Sequence, residues 1–260
     1  MNEAVAHRSA SQVNTYVGCG EAYRLKYVEK VDQPPAAWLA QGTAFHETIA
    51  AWEESGRSPL YNVSLAYNDF YNKEIEKMKE KEPDLTKWLK APSKKTEIDI
   101  AERRERGIKQ CWDYVAFAAS NDFFLKDIDE YTLGVEVPFE ITLGGILIKG
   151  AIDQILQKPK GVGVRDLKTG NRESAKLQLG IYKIAIEKIF NWPVVEASFF
   201  YAKDSKVVTL TDRDLARYTE AYVTDLLSAL DRGIKNNVFI PNPGSQCLLC
   251  PVKKHCREFI

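Results

Sequence analysis

The sequence predicts an α/β protein of the α+β kind: a helical N-terminal half, a mixed central β-sheet flanked by helices, and a cysteine-rich tail. Three observations predict it. Apolar residues recur at helical spacing up to about residue 119, period-two alternation starts only at Tyr131, and three of the five cysteines crowd into segment 241–260. We read 1–260 as one domain in three parts: 1–125 helical, 126–240 the sheet core, and 241–260 the tail.

Composition bounds the answer. A 45% hydrophobic and 28% charged chain of 260 residues is of ordinary globular make-up and can bury an ample core. Lys plus Arg (36) equals Asp plus Glu (36), so net charge does not announce a nucleic acid, although a local basic groove would suffice. The first thirty residues hold His7, Arg8, Glu21, Arg24 and Lys26 and no apolar run. No secretory signal, no membrane span and a cytoplasmic location are therefore expected. In that compartment patterned cysteines point to metal ligation, not disulfides.

The elements follow in order. Ser9 reads as the N-cap of a helix carrying Val13, Tyr16 and Val17, which ends at Gly18-Cys19-Gly20; a second starts near Glu21. Cys19 thus sits at a corner between glycines. Gln33-Pro34-Pro35 breaks the chain before a helix over 38–54, where His46 lies on a stripe with Ala44, Phe45, Ile49 and Trp52. A long helix is expected over 60–81, a loop over 82–92, and a helix from Thr96 to about Ala119. In the last, Arg103, Arg104, Arg106 and Lys109 read as a solvated face and Cys111 as core packing.

Tyr131–Leu143 alternates as a strand and carries Glu136, and Gly144-Gly145 turns it into Ile146–Leu156. Lys158-Pro159-Lys160-Gly161 turns that run into Val162–Leu167. Each strand of this hairpin holds one acid among hydrophobes, Asp153 and Asp166, and Lys168 shares a face with Asp166. Carboxylates that close repel unless a cation sits between them, which suits a hard divalent ion with an ammonium beside it. Asp-x-Lys is also a common surface pair, so the hairpin alone does not decide. Next come a helix over 174–190 with Gln178 and Tyr182 one turn apart, strands over 194–202 and 206–210, and a helix over 212–236.

The tail holds Cys247-x-x-Cys250 and then Cys256. Three thiolates leave a tetrahedral or cubane site one ligand short. Cys19 would complete it by tying the two ends of the chain together, and His255 competes for that place if the metal is zinc.

Gly150-x-Ile-Asp153, then Asp166-Leu-Lys-Thr-Gly170, then Gln178-x-x-x-Tyr182 resembles the RecB-like branch of the PD-(D/E)XK nucleases. The start with Cys19, together with Cys247, Cys250 and Cys256, is similar to its iron–sulfur members. Those are CRISPR-associated exonucleases, AddB-type nuclease domains and phage relatives. The resemblance runs from Ser9 to Cys256, and it is the order of motifs that makes it specific. Departures are Ile152 before the first Asp, Asp166 where others have Glu, and Gly20 where relatives often have Pro.

The resemblance implies a restriction-endonuclease-like core and a DNA exonuclease acting on single-stranded ends in the 5′→3′ sense. It implies Mn²⁺ or Mg²⁺ on His46, Asp153, Asp166 and the Leu167 carbonyl, with Lys168 as catalytic lysine. Glu136 is implied to support that site or to bind a second ion, and Gln178 and Tyr182 to position Lys168 or the DNA. Cys19, Cys247, Cys250 and Cys256 are implied to hold a structural 4Fe–4S cluster. Arg172 and Lys176 are read as phosphate contacts at a helix start, and Tyr23, Arg24 and Tyr27 as a platform for a single strand. Expected partners are DNA and a helicase or other recombination or adaptation protein; assembly into oligomers is left open. Two alternatives stand: a non-catalytic DNA-binding adaptor with a zinc-bound tail, or the nuclease module of a helicase–nuclease complex. No GxxxxGK[ST] loop is present, so unwinding would have to come from elsewhere.

Overall fold

The structure is a computed structural model describing residues 7–91, 93–170 and 176–259. Its centre is one five-stranded mixed sheet in the order β1-β2-β3-β4-β5, with β1 Val135–Leu143, β2 Ile146–Lys158, β3 Gly161–Lys168, β4 Val194–Tyr201 and β5 Lys206–Thr209. All neighbours are antiparallel except β3 and β4, which run parallel. Helix α6, Lys176–Phe190, makes the crossover that this parallel pair requires.

Helices cover both faces, and each face has its own apolar cluster. On one side lie α3 (Ala37–Glu54), α4 (Val63–Lys81) and α5 (Thr96–Ser120), which bury Phe45, Tyr67, Tyr71 and Tyr114 against Leu156, Leu167 and Phe200. On the other lie α1 (Ala10–Gly18), α6, α7 (Asp212–Arg217) and α8 (Glu220–Lys235), packed on Ile148, Ile152, Val162 and Val164. Cys111 is in the first cluster as expected, and burial pushes its thiol up. Among the described residues no helix is long and apolar enough to cross a membrane.

Three sequence expectations need correction. The first strand starts at Val135, four residues late, because Asp127–Leu133 form an isolated bridge of their own. The single helix expected over 212–236 is two. Thr219 caps α8 by accepting from the Tyr222 N–H, and Tyr218 packs so closely on Gly180 that a Cβ there would meet its ring at 2.5 Å. The second helix is only Gly20–Tyr23 (α2) before it widens into a π-helical turn, Arg24–Val28. The Gly144-Gly145 turn is as expected: both take positive φ, +57° and +79°.

The candidate active site and the cysteine seam

Two residues apart on a strand should share a face. At one point in this sheet they do not. Val135 belongs to the α3–α5 cluster and Val137 to the α6–α8 cluster. Opposite them, Ile152 faces α6 while Gln154 reaches Tyr114 on α5. The strands keep register, Val135 with Gln154 and Val137 with Ile152, and both change phase at the residues between, Glu136 and Asp153. Glu136 achieves this at φ +46°, a left-handed conformation that costs a non-glycine residue about 1 kcal/mol or more. Strain of this kind persists where the surroundings hold it.

Here α3 does the holding. His46 Nδ1 lies 3.0 Å from a Glu136 oxygen and 3.6 Å from Asp153 Oδ2, while Nε2 lies 3.1 Å from the Leu167 carbonyl. One imidazole therefore joins α3 to β1, β2 and β3. Donor atoms of His46, Glu136 and Asp153 all fall within 4.8 Å of one another. Asp153 also accepts the Leu167 N–H at 2.6 Å. Burial and the charge of Asp166 push the Asp153 carboxyl up. At His46, burial opposes the charge, but Asp153, Glu136 and Asp166 outweigh it and raise the imidazole to about 9.

Asp166 is the exceptional group. It is fully buried, and neither carboxylate oxygen accepts a hydrogen bond from the described residues. Among the described residues its charged partner is the Lys168 ammonium, 2.5 Å from Oδ2. Burial pushes this carboxyl up, against the pull of Lys168. Buried carboxylates with unmet lone pairs are costly unless a cation satisfies them; the set of His46, Glu136 and Asp153 fits a divalent ion bound through oxygen and one imidazole nitrogen, and Asp166 is not within 4.8 Å of all three. Lys168 is held from its other side: Nζ donates to Gln178 Oε1 at 3.2 Å, and Gln178 Nε2 donates to the Tyr182 hydroxyl at 2.8 Å. A cleft of about 920 Å³ lined by Gly42, Thr43, His46, Glu47, Phe70 and Glu136 opens onto the centre.

A family model described as the PD-(D/E)XK nuclease superfamily matches residues 7–257. The chain belongs to the PD-(D/E)XK nuclease superfamily. It is 32% identical over 260 residues to the Gene 69 protein of Mycobacterium phage D29, covering 97% of each chain. It is 30% identical over 282 residues to the Gene 69 protein of Mycobacterium phage L5, covering 97% of this chain and 96% of that one. A crystal structure of a candidate exonuclease from Eubacterium rectale aligns with a TM-score of 0.47 at 13% identity, over 96% of this chain and 88% of that one.

Elsewhere this nuclease chain departs from the sequence expectations. Tyr23 is buried, stacked on Phe239 and edge-on to Tyr16, so it offers no face to a DNA strand. Arg24 is paired with Glu21 at 2.7 Å and also contacts Glu29, which neutralises it. Arg24 and Tyr27 are both half-buried. Lys176 starts α6 but pairs with Asp214 at 2.9 Å; Arg172 lies outside the described residues, as does Ser174. Arg103 does not belong to a solvated face: it turns inward to Asp99 and Gln41.

The cysteines meet along a seam between the two ends of the chain. The Gly20 N–H donates to the Ile240 carbonyl at 2.9 Å, Asn242 Nδ2 to the Gly18 carbonyl at 2.9 Å, and the Tyr16 hydroxyl to the Val238 carbonyl at 2.8 Å. Backbone N–H groups also point at two sulfurs, Asn242 at Cys19 and Gly244 at Cys247. Burial raises the Cys256 thiol, with Glu21, Cys19 and Cys250 adding to the rise. Among the described residues no three of these thiols come within 4.8 Å of one another.

Residue reading alone missed two buried polar networks behind the site. Glu53, Tyr114 and Gln154 form one, and Asp99, Arg103, Gln41 and Gln110 the other. The signal was present: Gln41 and Gln110 interrupt the apolar stripes of their helices.

Proposed function

We propose that this protein is a divalent-metal-dependent DNA exonuclease with its reaction centre at His46, Asp153, Asp166 and the Leu167 carbonyl. The observation that carries the reading is Asp166: a fully buried carboxylate across the hairpin from Asp153, compensated among the described residues by the Lys168 ammonium alone. Mn²⁺ or Mg²⁺ bound there would polarise the scissile phosphate and acidify a water. The chain's own groups supply the rest. Lys168, aimed by Gln178 and Tyr182, orients the attacking water and meets charge developing on the phosphate oxygens. Glu136 fixes the His46 ring through Nδ1 and is the side chain best placed to help hold a second ion.

The cleft beside His46 supports a single-stranded end as substrate, because Phe70 in its wall offers a ring on which an unpaired base can stack. Cys19, Cys247, Cys250 and Cys256 are proposed to hold a 4Fe–4S cluster of structural role.

A time course on end-labelled single- and double-stranded DNA with Mn²⁺ or Mg²⁺ tests the activity and its direction. Asp166→Ala and Lys168→Ala should lose cleavage by about 10³-fold or more while folding and DNA binding survive. Normal digestion by purified Asp166→Ala would sink the mechanism.

A further inference from the structure

Helix α5 grips both strands of the proposed centre from behind. Gln110 Nε2 donates to the Thr169 carbonyl at 3.1 Å, one residue beyond Lys168. One turn later, the Tyr114 hydroxyl meets Gln154, one residue beyond Asp153. The two hooks are not alike. Tyr114 binds a side chain inside the core, and Glu53 behind it is held by Arg57. Gln110 instead holds the backbone at the end of β3, where the strand gives way to Thr169–Gly170.

Gln110 is itself held. Its Oε1 accepts from Gln41 Nε2 at 2.7 Å, Gln41 Oε1 accepts from Arg103 Nη1 at 2.9 Å, and Asp99 takes the Arg103 Nε at 3.1 Å. Gln41, Gln110 and Asp99 are all buried, and Arg103 is further pinned over the Trp38 ring at 5.4 Å. A chain of four polar groups within a helical layer is costly to bury, and apolar residues of the same shape would pack there at no such cost. From Arg103 the donors run one way, through Gln41 and Gln110 to the Thr169 carbonyl, so the amide of Gln110 cannot flip without breaking the Gln41 contact. It ends on a single peptide carbonyl. Gly42, next to Gln41, leaves room beside the Thr169 hydroxyl, 3.6 Å from where a Cβ would stand.

We infer that Gln110, oriented by Gln41, is a positioning residue that fixes the Thr169 peptide and thereby the aim of Lys168. It touches no reacting atom; it removes the freedom of the chain just where the catalytic lysine leaves the sheet. The inference rests on the nuclease reading of Lys168.

The double variant Gln41→Leu/Gln110→Leu tests it, because removing both amides together leaves neither orphaned by the other, and only Arg103 Nη1 and the Thr169 carbonyl lose a partner. Two measurements are made on the full chain: turnover of single-stranded DNA with Mn²⁺, and hydrogen exchange of the 166–170 amides. The expected result is a folded protein with unchanged KM, kcat down about 10–100-fold, and faster exchange at 166–170. Gln110→Asn, which keeps the amide but shortens it, should fall between, and Gln110→Glu should fare worst by setting a carboxylate against the Thr169 carbonyl. Unchanged turnover in the double variant overturns the inference whatever the exchange shows. If the parent protein fails to cut DNA, the nuclease reading fails, and unchanged exchange at 166–170 then overturns the hold on Thr169 by itself. Should the double variant not fold, Gln110→Asn decides on the same two readouts.

Discussion

The reaction centre and the cysteine seam both join distant parts of the chain, but they do so with opposite means. At the centre, side chains do the joining. His46 alone links α3 to three strands, Asp153 caps the Leu167 N–H, and a Lys168–Gln178–Tyr182 chain ties β3 to α6. At the seam, backbone carbonyls take the bonds: Ile240 from the Gly20 N–H, Gly18 from Asn242 Nδ2 and Val238 from the Tyr16 hydroxyl, while the Cys19 and Cys247 sulfurs accept weak backbone N–H donors. The centre is thus preorganised by protein contacts, with charge held in excess. The proposed cluster, bound by the thiols, would fasten the seam. One would expect the first to lose function without losing the fold, and the second to do the reverse.

Substitution can separate these two behaviours. The largest effect should be at Asp166. Removing its carboxylate abolishes cleavage, as set out above; it relieves a buried charge but also takes the ion-pair partner from Lys168, so the metal-free variant should melt within a few degrees of the parent. A thermal melt checks this, and a large drop would mean that Asp166 is structural. Next in size is Cys19→Ala. If the seam is fastened by a cluster, this variant should lose the brown colour and several kcal/mol of stability, about 10 °C or more in Tm. Colourless parent protein with stoichiometric zinc would replace the cluster by an ion.

The pH dependence of stability is a middle-sized test of the charge held at the centre. His46 is raised from an ordinary 6.5 to about 9, so it binds more protons folded than unfolded. Its contribution is full below about pH 6.5 and is lost as pH climbs through about 9. Asp153 and Asp166 are also raised and act in the same direction, stabilising as the medium becomes more acidic. Tm of the metal-free protein should therefore fall between pH 6.5 and 9. Saturating Mn²⁺ should flatten that slope, since the ion takes over the role of the protons. A slope that is flat without metal would contradict the electrostatics described for the site.

Much of this was legible in the sequence, for reasons that can be named. The hairpin with Asp153 and Asp166 was readable because turn chemistry and alternation are local. His46 could be linked to that hairpin only through the family motif, since nothing local says that a helix a hundred residues upstream crosses β3. The phase change at Glu136 was not readable at all: alternation through Val135, Val137 and Phe139 looks unbroken, and only the tertiary packing shows Val135 on the other side. The same blindness explains Tyr23. A Tyr-Arg-x-x-Tyr run resembles a nucleic-acid platform, but burial under Phe239 depends on how the tail returns over the N-terminus.

The smallest expected effect lies at the seam, in Gly20→Ala. Relatives often carry proline at this position, but here glycine follows Cys19, and the reason is spatial. A Cβ on Gly20 would stand 2.6 Å from the Ile240 nitrogen and 2.9 Å from its oxygen, both backbone atoms that cannot swing aside. The Gly20 N–H is also the donor to that same oxygen, so proline here would delete the bond. Alanine keeps the donor and adds only the clash, which should push the tail off the corner at a cost of about 1–3 kcal/mol. Among the described residues no recorded hydrogen bond or ion pair joins the proposed reaction centre to this corner, so kcat per folded molecule should stay at the parent value while Tm drops by a few degrees. A matching loss of kcat would show that the seam reaches the centre and that the two regions are not independent. Gly20→Pro, which lacks the N–H, should cost more than Gly20→Ala; equal melting temperatures would mean that the Ile240 contact is not what holds the two ends together.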